Sequence, residues 1–191
     1  MTEHQVYLGL GSNIRPQHFL PLGLDELNSR FGAMDVSCTY LSTAIGFEGP
    51  DFHNLVVGIV TTHRLNELSQ ILRAVEYQHG RDLNCTKFSS RTLDIDLLTY
   101  DDREGQFEDI VLPRKEITEN AFVLRPFAEI APDLVLPGQT QNLAALWQKY
   151  DATNQSLTPV ALDWHGTRLP MLALRAKFQS EQPLATQHSL G

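Results

Sequence analysis

The chain has 191 residues, 42% hydrophobic and 20% charged, with a formal net charge of −8. That composition is globular and excludes wholesale disorder, while the acidic balance excludes a generic nucleic-acid binder, whose footprint is basic. The longest apolar runs, such as residues 55–60, are about six residues long, and a membrane span needs roughly twenty. The first residues, Met1, Thr2, Glu3 and His4, carry neither a basic region nor a long apolar one, so no secretory signal is expected. Cys38 and Cys85 are the two cysteines, too few for a disulfide framework or a zinc tetrad. The expectation is a monomeric protein of the reducing cytoplasm, with a domain over residues 1–150 and a partly disordered extension over 151–191.

In chain order, residues 6–10 form a short β-prone run ended by Gly11, Ser12 and Asn13. Phe19, Leu20, Leu24, Leu27 and Phe31 then follow the helical period after Pro16, with Gly32 as the stop. Val36, Cys38 and Tyr40 alternate with Ser37, Thr39 and Leu41, which predicts a second strand. Residues 46–51 are turn-rich, and 52–62 read as a third strand with a buried centre. Leu65, Leu68, Leu72 and Val75 predict a second helix ending near Gly80. Residues 81–90 are polar, without period, and long enough to form a lid over a site. Residues 92–100 alternate again, with Leu93, Ile95 and Leu97 on one face and Asp94, Asp96 and Leu98 on the other. The order β-α-β-β-α-β predicts a ferredoxin-like α/β sandwich: an antiparallel sheet with helices packed on it. Beyond it come a polar loop at 101–109, an apolar run at 110–112, and a helical stretch at 116–131 that Pro126 should kink or split. Residues 143–150 read as a last helix, Asp163 to Gly166 as a turn, and 180–191 as a disordered end.

Asp94 and Asp96 stand two apart on a strand, so their carboxylates share a face about 6–7 Å apart. At an effective dielectric of 20 they repel by roughly 2–3 kcal/mol, and a divalent cation would offset that. Mg²⁺ suits such a pair, since it takes carboxylates together with water and substrate phosphates. Spacing alone leaves a solvated polar face equally open. Arg81, Lys87, Arg91, Arg103, Arg114, Lys115 and Arg125 fall around the pair, as a polyphosphate site would need or as neutralisers of neighbouring acids.

Gly9, Leu10, Gly11 and Ser12 match neither a P-loop nor a dinucleotide fingerprint and read as a tight strand-to-helix turn. Phe52 and Asn54 share a strand face; they suit a flat heteroaromatic ligand, or else a core ring and an edge amide. No nucleophile elbow and no metal-spaced histidines are present.

The run Arg91-Thr92-Leu93-Asp94-Ile95-Asp96-Leu97-Leu98 resembles the signature of the 6-hydroxymethyl-7,8-dihydropterin pyrophosphokinase family. Three further segments agree in order: Tyr7 to Asn13, Asp51 to Val57, and Ala121 to Leu124 with Pro126 and Glu129 to Pro132. The resemblance, over about residues 5–150, implies transfer of pyrophosphate from ATP to the hydroxymethyl group of a reduced pterin, with AMP released, in folate biosynthesis. It implies two Mg²⁺ ions held by Asp94 and Asp96, and a pterin sandwiched by Phe52 and Phe122. Asn54, Ser42 and the backbone near Ile45 would meet the pterin edge. Arg91 and Arg81 match catalytic and nucleotide-side cations, and Glu76 matches a nucleotide-side glutamate. Phosphoryl-type transfer is mainly positioning and charge stabilisation, so the missing nucleophile is no obstacle.

The chain departs from the family on the nucleotide side. Phe88-Ser89-Ser90-Arg91 replaces a usual Trp-Gly-Pro-Arg run, so the aromatic of the substrate side is kept and the rigid turn is lost. Leu83 replaces a second loop arginine, Arg114 a usual histidine, Asn120 a usual arginine, and Asp109 an often basic residue. Arg114 could restore part of the charge toward ATP. These changes imply weaker ATP binding or a slower loop step with pterin recognition intact. A divergent paralogue, slow or non-catalytic, that binds pterin or nucleotide is the alternative.

Overall fold

The computed structural model describes residues 2–80 and 89–169. β1 (His4–Ser12) is the central strand, and Val6, Leu8 and Leu10 on one of its faces are buried, as period-two alternation requires. The strand runs through Gly9 and Gly11, so the expected tight turn there is extended backbone and the chain reverses at Asn13 to Arg15 instead. α1 (Pro16–Phe31) opens on proline, whose missing N–H would have no helical partner anyway. It stops at Gly32, whose φ of 76° is left-handed. Leu20, Leu24 and Leu27 bury its inner face.

The predicted second strand is two pieces, β2 (Asp35–Val36) and β3 (Thr39–Ser42). Ser37 separates them. Its N–H donates to the Val56 carbonyl at 3.0 Å, while its Oγ accepts the Val56 N–H at 2.8 Å. A side-chain oxygen thus takes the place of a ladder carbonyl, and the Cys38 N–H turns away to Glu129 Oε2 at 2.9 Å. β4 (Phe52–Thr61) pairs with β1 over nearly its whole length, and its centre is buried on both faces. In α2 (Leu65–Gln78), Glu67 accepts the Arg64 N–H at 2.9 Å and so closes the first turn. β5 (Asp94–Tyr100) completes the sheet on the other side of β1. The strand order β5-β1-β4-β3 with every pairing antiparallel is the expected ferredoxin-like core.

The polar loop after β5 contains a hairpin of β6 (Gly105–Phe107) and β7 (Ile110–Leu112), strands too short to show a legible alternation. The 116–131 helix is split, but not at Pro126. α3 (Glu116–Glu119) and α4 (Ala121–Ile130) break at Asn120, whose backbone is extended (φ −120°, ψ 122°) and whose carbonyl accepts from Val123 and Leu124. Pro126 sits inside α4 without ending it. α5 (Leu143–Lys149) comes next, with Asn142 Oδ1 capping the Ala145 N–H at 2.9 Å.

The sheet lies between two apolar layers. α1 and α2 pack with Leu8, Leu10, Val57 and Ile95 on one face; α4 packs with Val56, Leu98 and Leu143 on the other. The expected boundary at Asp151 does not detach the strands beyond it. β8 (Thr158–Val160) joins the main sheet beside β3. β9 (Leu162–Trp164) and β10 (Thr167–Leu169) form a hairpin whose Leu162 is fully buried in the α1–α2 layer. Trp164 Nε1 donates to Asp25 Oδ1 on α1 at 2.7 Å. The 180–191 stretch, for which a disordered end is expected, lies outside the described residues.

Candidate active site

The site begins with two glycines. In the antiparallel register Gly11 lies between Asn54 on β4 and Asp94 on β5, and Gly9 lies between Val56 and Asp96. Directly opposed residues share a face. A row without side chains therefore separates the Phe52–Asn54 edge from the two aspartates. A Cβ at Gly11 would stand 3.2 Å from Asn54 Oδ1 and 3.6 Å from the Phe52 ring. On this face the start of α4 rises over the strands, and a cavity of about 250 Å³ opens between them.

Ser42, Ile45, Phe52, Asn54 and Phe122 all line that cavity, from β3, the loop after it, β4 and α4. Asn54 Nδ2 donates to Ser42 Oγ at 2.9 Å, which holds the amide at the base of the cavity with both groups buried. Ile45 is half exposed at the rim. β3 is fastened to α4 on this same face by a buried network. The Tyr40 hydroxyl donates to Glu129 Oε1, and Arg125 Nε donates to Tyr40 at 3.2 Å. Burial is the main cause of a raised Tyr40 pKa, and the Glu129 charge adds to it.

Asp94 and Asp96 point into the same cavity from β5, on the face opposite buried Leu93, Ile95 and Leu97. Of the seven cations that the sequence places around the pair, two of the described ones reach it. Arg91 Nη1 lies 4.0 Å from Asp94 Oδ1, and Arg114 forms an ion pair and hydrogen bond with Asp96 Oδ1. Arg125 instead stacks over Trp147 at 5.3 Å, Arg103 over Tyr100 at 4.9 Å, and Lys115 pairs with Glu119 at 3.5 Å. Arg81, Lys87 and Phe88 lie outside the described residues.

The Asp96 carboxyl is pushed up to about 6, first by desolvation and then by the Asp94 charge. Arg114 pulls the other way and is outweighed, and Glu116 adds to the rise. The side chain keeps 45% of its surface exposed. A carboxyl raised on folding favours the folded state below its ordinary pKa, and that stability is lost as pH rises through about 6. The melting temperature of the ligand-free wild type, relative to Asp96→Asn, should therefore fall between pH 4.5 and 7.5. A constant difference across that range in thermal unfolding would contradict the assignment.

A second cavity of about 210 Å³ lies beyond the β5 edge, lined by residues including Arg73, Glu76, Asp109 and Val111. Asp96 and Arg114 line both cavities, so the two meet at that pair. Glu76 is buried, and its Oε1 accepts the outward Ile95 N–H at 2.8 Å.

Sequence reasoning assigns no role to three residues of the site. Gly11 reads there as part of a turn. Asn13 is buried and clamps Arg91: its Oδ1 accepts the Arg91 N–H at 2.7 Å, and its own N–H donates to the Arg91 carbonyl at 3.0 Å. Arg73 brings a guanidinium to the second cavity and pairs with Asp109. Its sequence signal is its place three residues before Glu76 on α2, hence on the same helical face.

Two clefts joined at Asp96 and Arg114, the first also lined by Asp94 and Arg91, leave room for two small molecules beside carboxylates with arginine counter-ions. A family model for 7,8-dihydro-6-hydroxymethylpterin-pyrophosphokinase matches residues 7–132, and the chain belongs to that family. A 2-amino-4-hydroxy-6-hydroxymethyldihydropteridine pyrophosphokinase of Synechocystis sp. is 34% identical over 95% of this chain and 89% of its own length. One of Methylorubrum extorquens is 36% identical over 71% of this chain and 88% of its own. A solved structure of Plasmodium falciparum HPPK-DHPS, a triple mutant with SDX-DHP, shares the fold at a TM-score of 0.65 and 13% identity. It covers 78% of this chain, which spans 42% of that protein. The reaction is pyrophosphoryl transfer from ATP to hydroxymethyldihydropterin, a step of folate biosynthesis.

The donor set fits a hard divalent ion. Asp94 and Asp96 present two carboxylates to the first cavity, and among the described residues no group of three or more His, Cys, Asp or Glu side chains could hold a metal. Two carboxylates leave most positions to water and substrate oxygens, the pattern Mg²⁺ prefers.

Proposed function

We propose that the transfer depends on Mg²⁺, held as two ions by Asp94 and Asp96, with the pterin in the first cavity and ATP in the second. The meeting of both cavities at Asp96 carries this reading, because the transferred group must pass between the two substrates. Phe52 and Phe122 sandwich the flat pterin, while Asn54, Ser42 and the Ile45 backbone receive its polar edge. Glu76, Arg73 and Arg114 form the nucleotide side, and Arg91 steadies phosphate charge from the Asp94 end. Arg81 and Phe88 are proposed to serve the same site, as a catalytic cation and a substrate-side aromatic.

The hydroxymethyl oxygen attacks the β-phosphorus of ATP, and the α–β bridging oxygen leaves with AMP. Asp94 and Asp96 would hold the Mg²⁺, which when bound would supply charge neutralisation to the phosphates and lower the pKa of that hydroxyl. The chain's own part is to align the hydroxyl with the phosphorus and keep cations at the developing charge. Both cavities are lined by one chain, which supports a monomer as the working unit. We place the reaction in the cytoplasm, where ATP is supplied; among the described residues no helix is long and apolar enough to cross a membrane. The catalytic residues lie within 1–150, and we propose that residues 151–169 complete the same body. AMP formation from ATP and the pterin should vanish with EDTA and return with Mg²⁺. Full turnover in EDTA would refute the metal reading.

A further inference from the structure

Arg114 occupies an unusual place. It comes just after β7, and the hydrogen bond from its N–H to the Leu98 carbonyl, 2.9 Å long, pins its backbone to β5. Its guanidinium is paired with Asp96, its Nη1 lies 4.0 Å from Glu116 Oε1, and it lines both cavities. Arg91 differs. Its backbone is clamped by Asn13 and its guanidinium stays 4.0 Å from Asp94, outside hydrogen-bond range. Of the described cations, Arg114 thus sits directly on a carboxylate oxygen that the proposed ion would need.

We propose that Arg114 is the resident counter-ion of Asp96, and that it yields the carboxylate to a divalent ion only when the phosphates of a nucleotide take over its guanidinium. The proposal rests on the reading that Asp94 and Asp96 hold metal. A guanidinium hydrogen-bonded to one carboxylate oxygen and a divalent ion on the same carboxylate repel strongly at that range. The ion alone must therefore displace Arg114 from its hydrogen-bonded carboxylate and leave it only the longer pairing with Glu116. A triphosphate in the second cavity removes that penalty, because it offers Arg114 oxygens with the same fork geometry. Metal and nucleotide then bind synergistically, each raising the affinity of the other by one and the same factor.

The test is Mn²⁺ binding to the full chain, monitored by the electron paramagnetic resonance signal of free Mn²⁺. It is run with and without α,β-methylene-ATP, whose α–β linkage cannot be broken. In the wild type, after subtraction of the Mn²⁺ that the analogue binds in protein-free controls, the analogue should strengthen Mn²⁺ binding by about tenfold or more, within the usual range of such couplings. Arg114→Gln should bind Mn²⁺ alone several-fold more tightly than the wild type and lose most of the synergy. Arg114→Lys, which keeps a cation, should stay close to the wild type in metal-only affinity. Arg114→Gln binding Mn²⁺ alone no more tightly than the wild type would overturn the proposal, as would Arg114→Lys behaving like Arg114→Gln. Asp96→Asn separates the two layers of the argument. Undiminished Mn²⁺ binding in that variant with the analogue present would overturn the metal reading, and this proposal with it. If that binding is weakened and Arg114→Gln is unchanged, only the role of Arg114 fails.

Discussion

Replacing either Asp94 or Asp96 by alanine is expected to lower the rate of AMP formation by on the order of 10³-fold or more while the protein stays folded. Both side chains lie on the cavity face of β5, and neither packs in the core. Their neighbours Ile95 and Leu97 carry the strand's burial and remain in place. Alanine also removes a like-charge repulsion, which offsets the lost pairing with Arg114 or Arg91. What disappears is the means of gathering positive charge where two anionic centres must approach. The measurement is AMP release with saturating ATP, Mg²⁺ and pterin, together with circular dichroism of each variant. Turnover within tenfold of the wild type in both variants would sink the assignment of these carboxylates.

Leu162→Ala should destabilise the protein by about 2–5 kcal/mol, the range for a buried leucine truncated in a packed core. For a chain of this size that corresponds to a fall in melting temperature of roughly 5–15 °C. Leu162 is fully buried among side chains of α1 and α2 although it lies beyond the expected end of the domain. Its hairpin is also tied to α1 through Trp164 and Asp25. Calorimetry of the variant checks the value. A shift under 1 °C would mean that the segment after Asp151 is only loosely attached.

Much of this architecture is legible in the chain. The leucines of α1 and α2 repeat every three or four residues, and β5 alternates, so two helices and the faces of a strand emerge from spacing alone. The same alternation puts Asp94 and Asp96 on one surface. The rest depends on contacts between distant residues. Gly9 and Gly11 look like punctuation until the register sets them between two functional strands. Ser37 breaks a strand because its hydroxyl meets Val56, nineteen residues on. Asn120 rather than Pro126 divides the late helices, because an extended backbone there caps α4. Arg73 can be placed on a helix, but only the fold brings Asp109 and the second cavity to it. Three-residue strands such as β8 are too brief to carry a period, and their pairing depends on partners more than a hundred residues earlier.

The glycine row has a bearing on drug design. An inhibitor laid across Gly9 and Gly11 would rest on main chain, which single-nucleotide changes cannot reshape without adding a side chain. At Gly11 even a methyl group would crowd the amide of Asn54. On the proposed reading of the site, a resistant mutant at Gly11 would therefore disturb the amide offered to the pterin together with the drug.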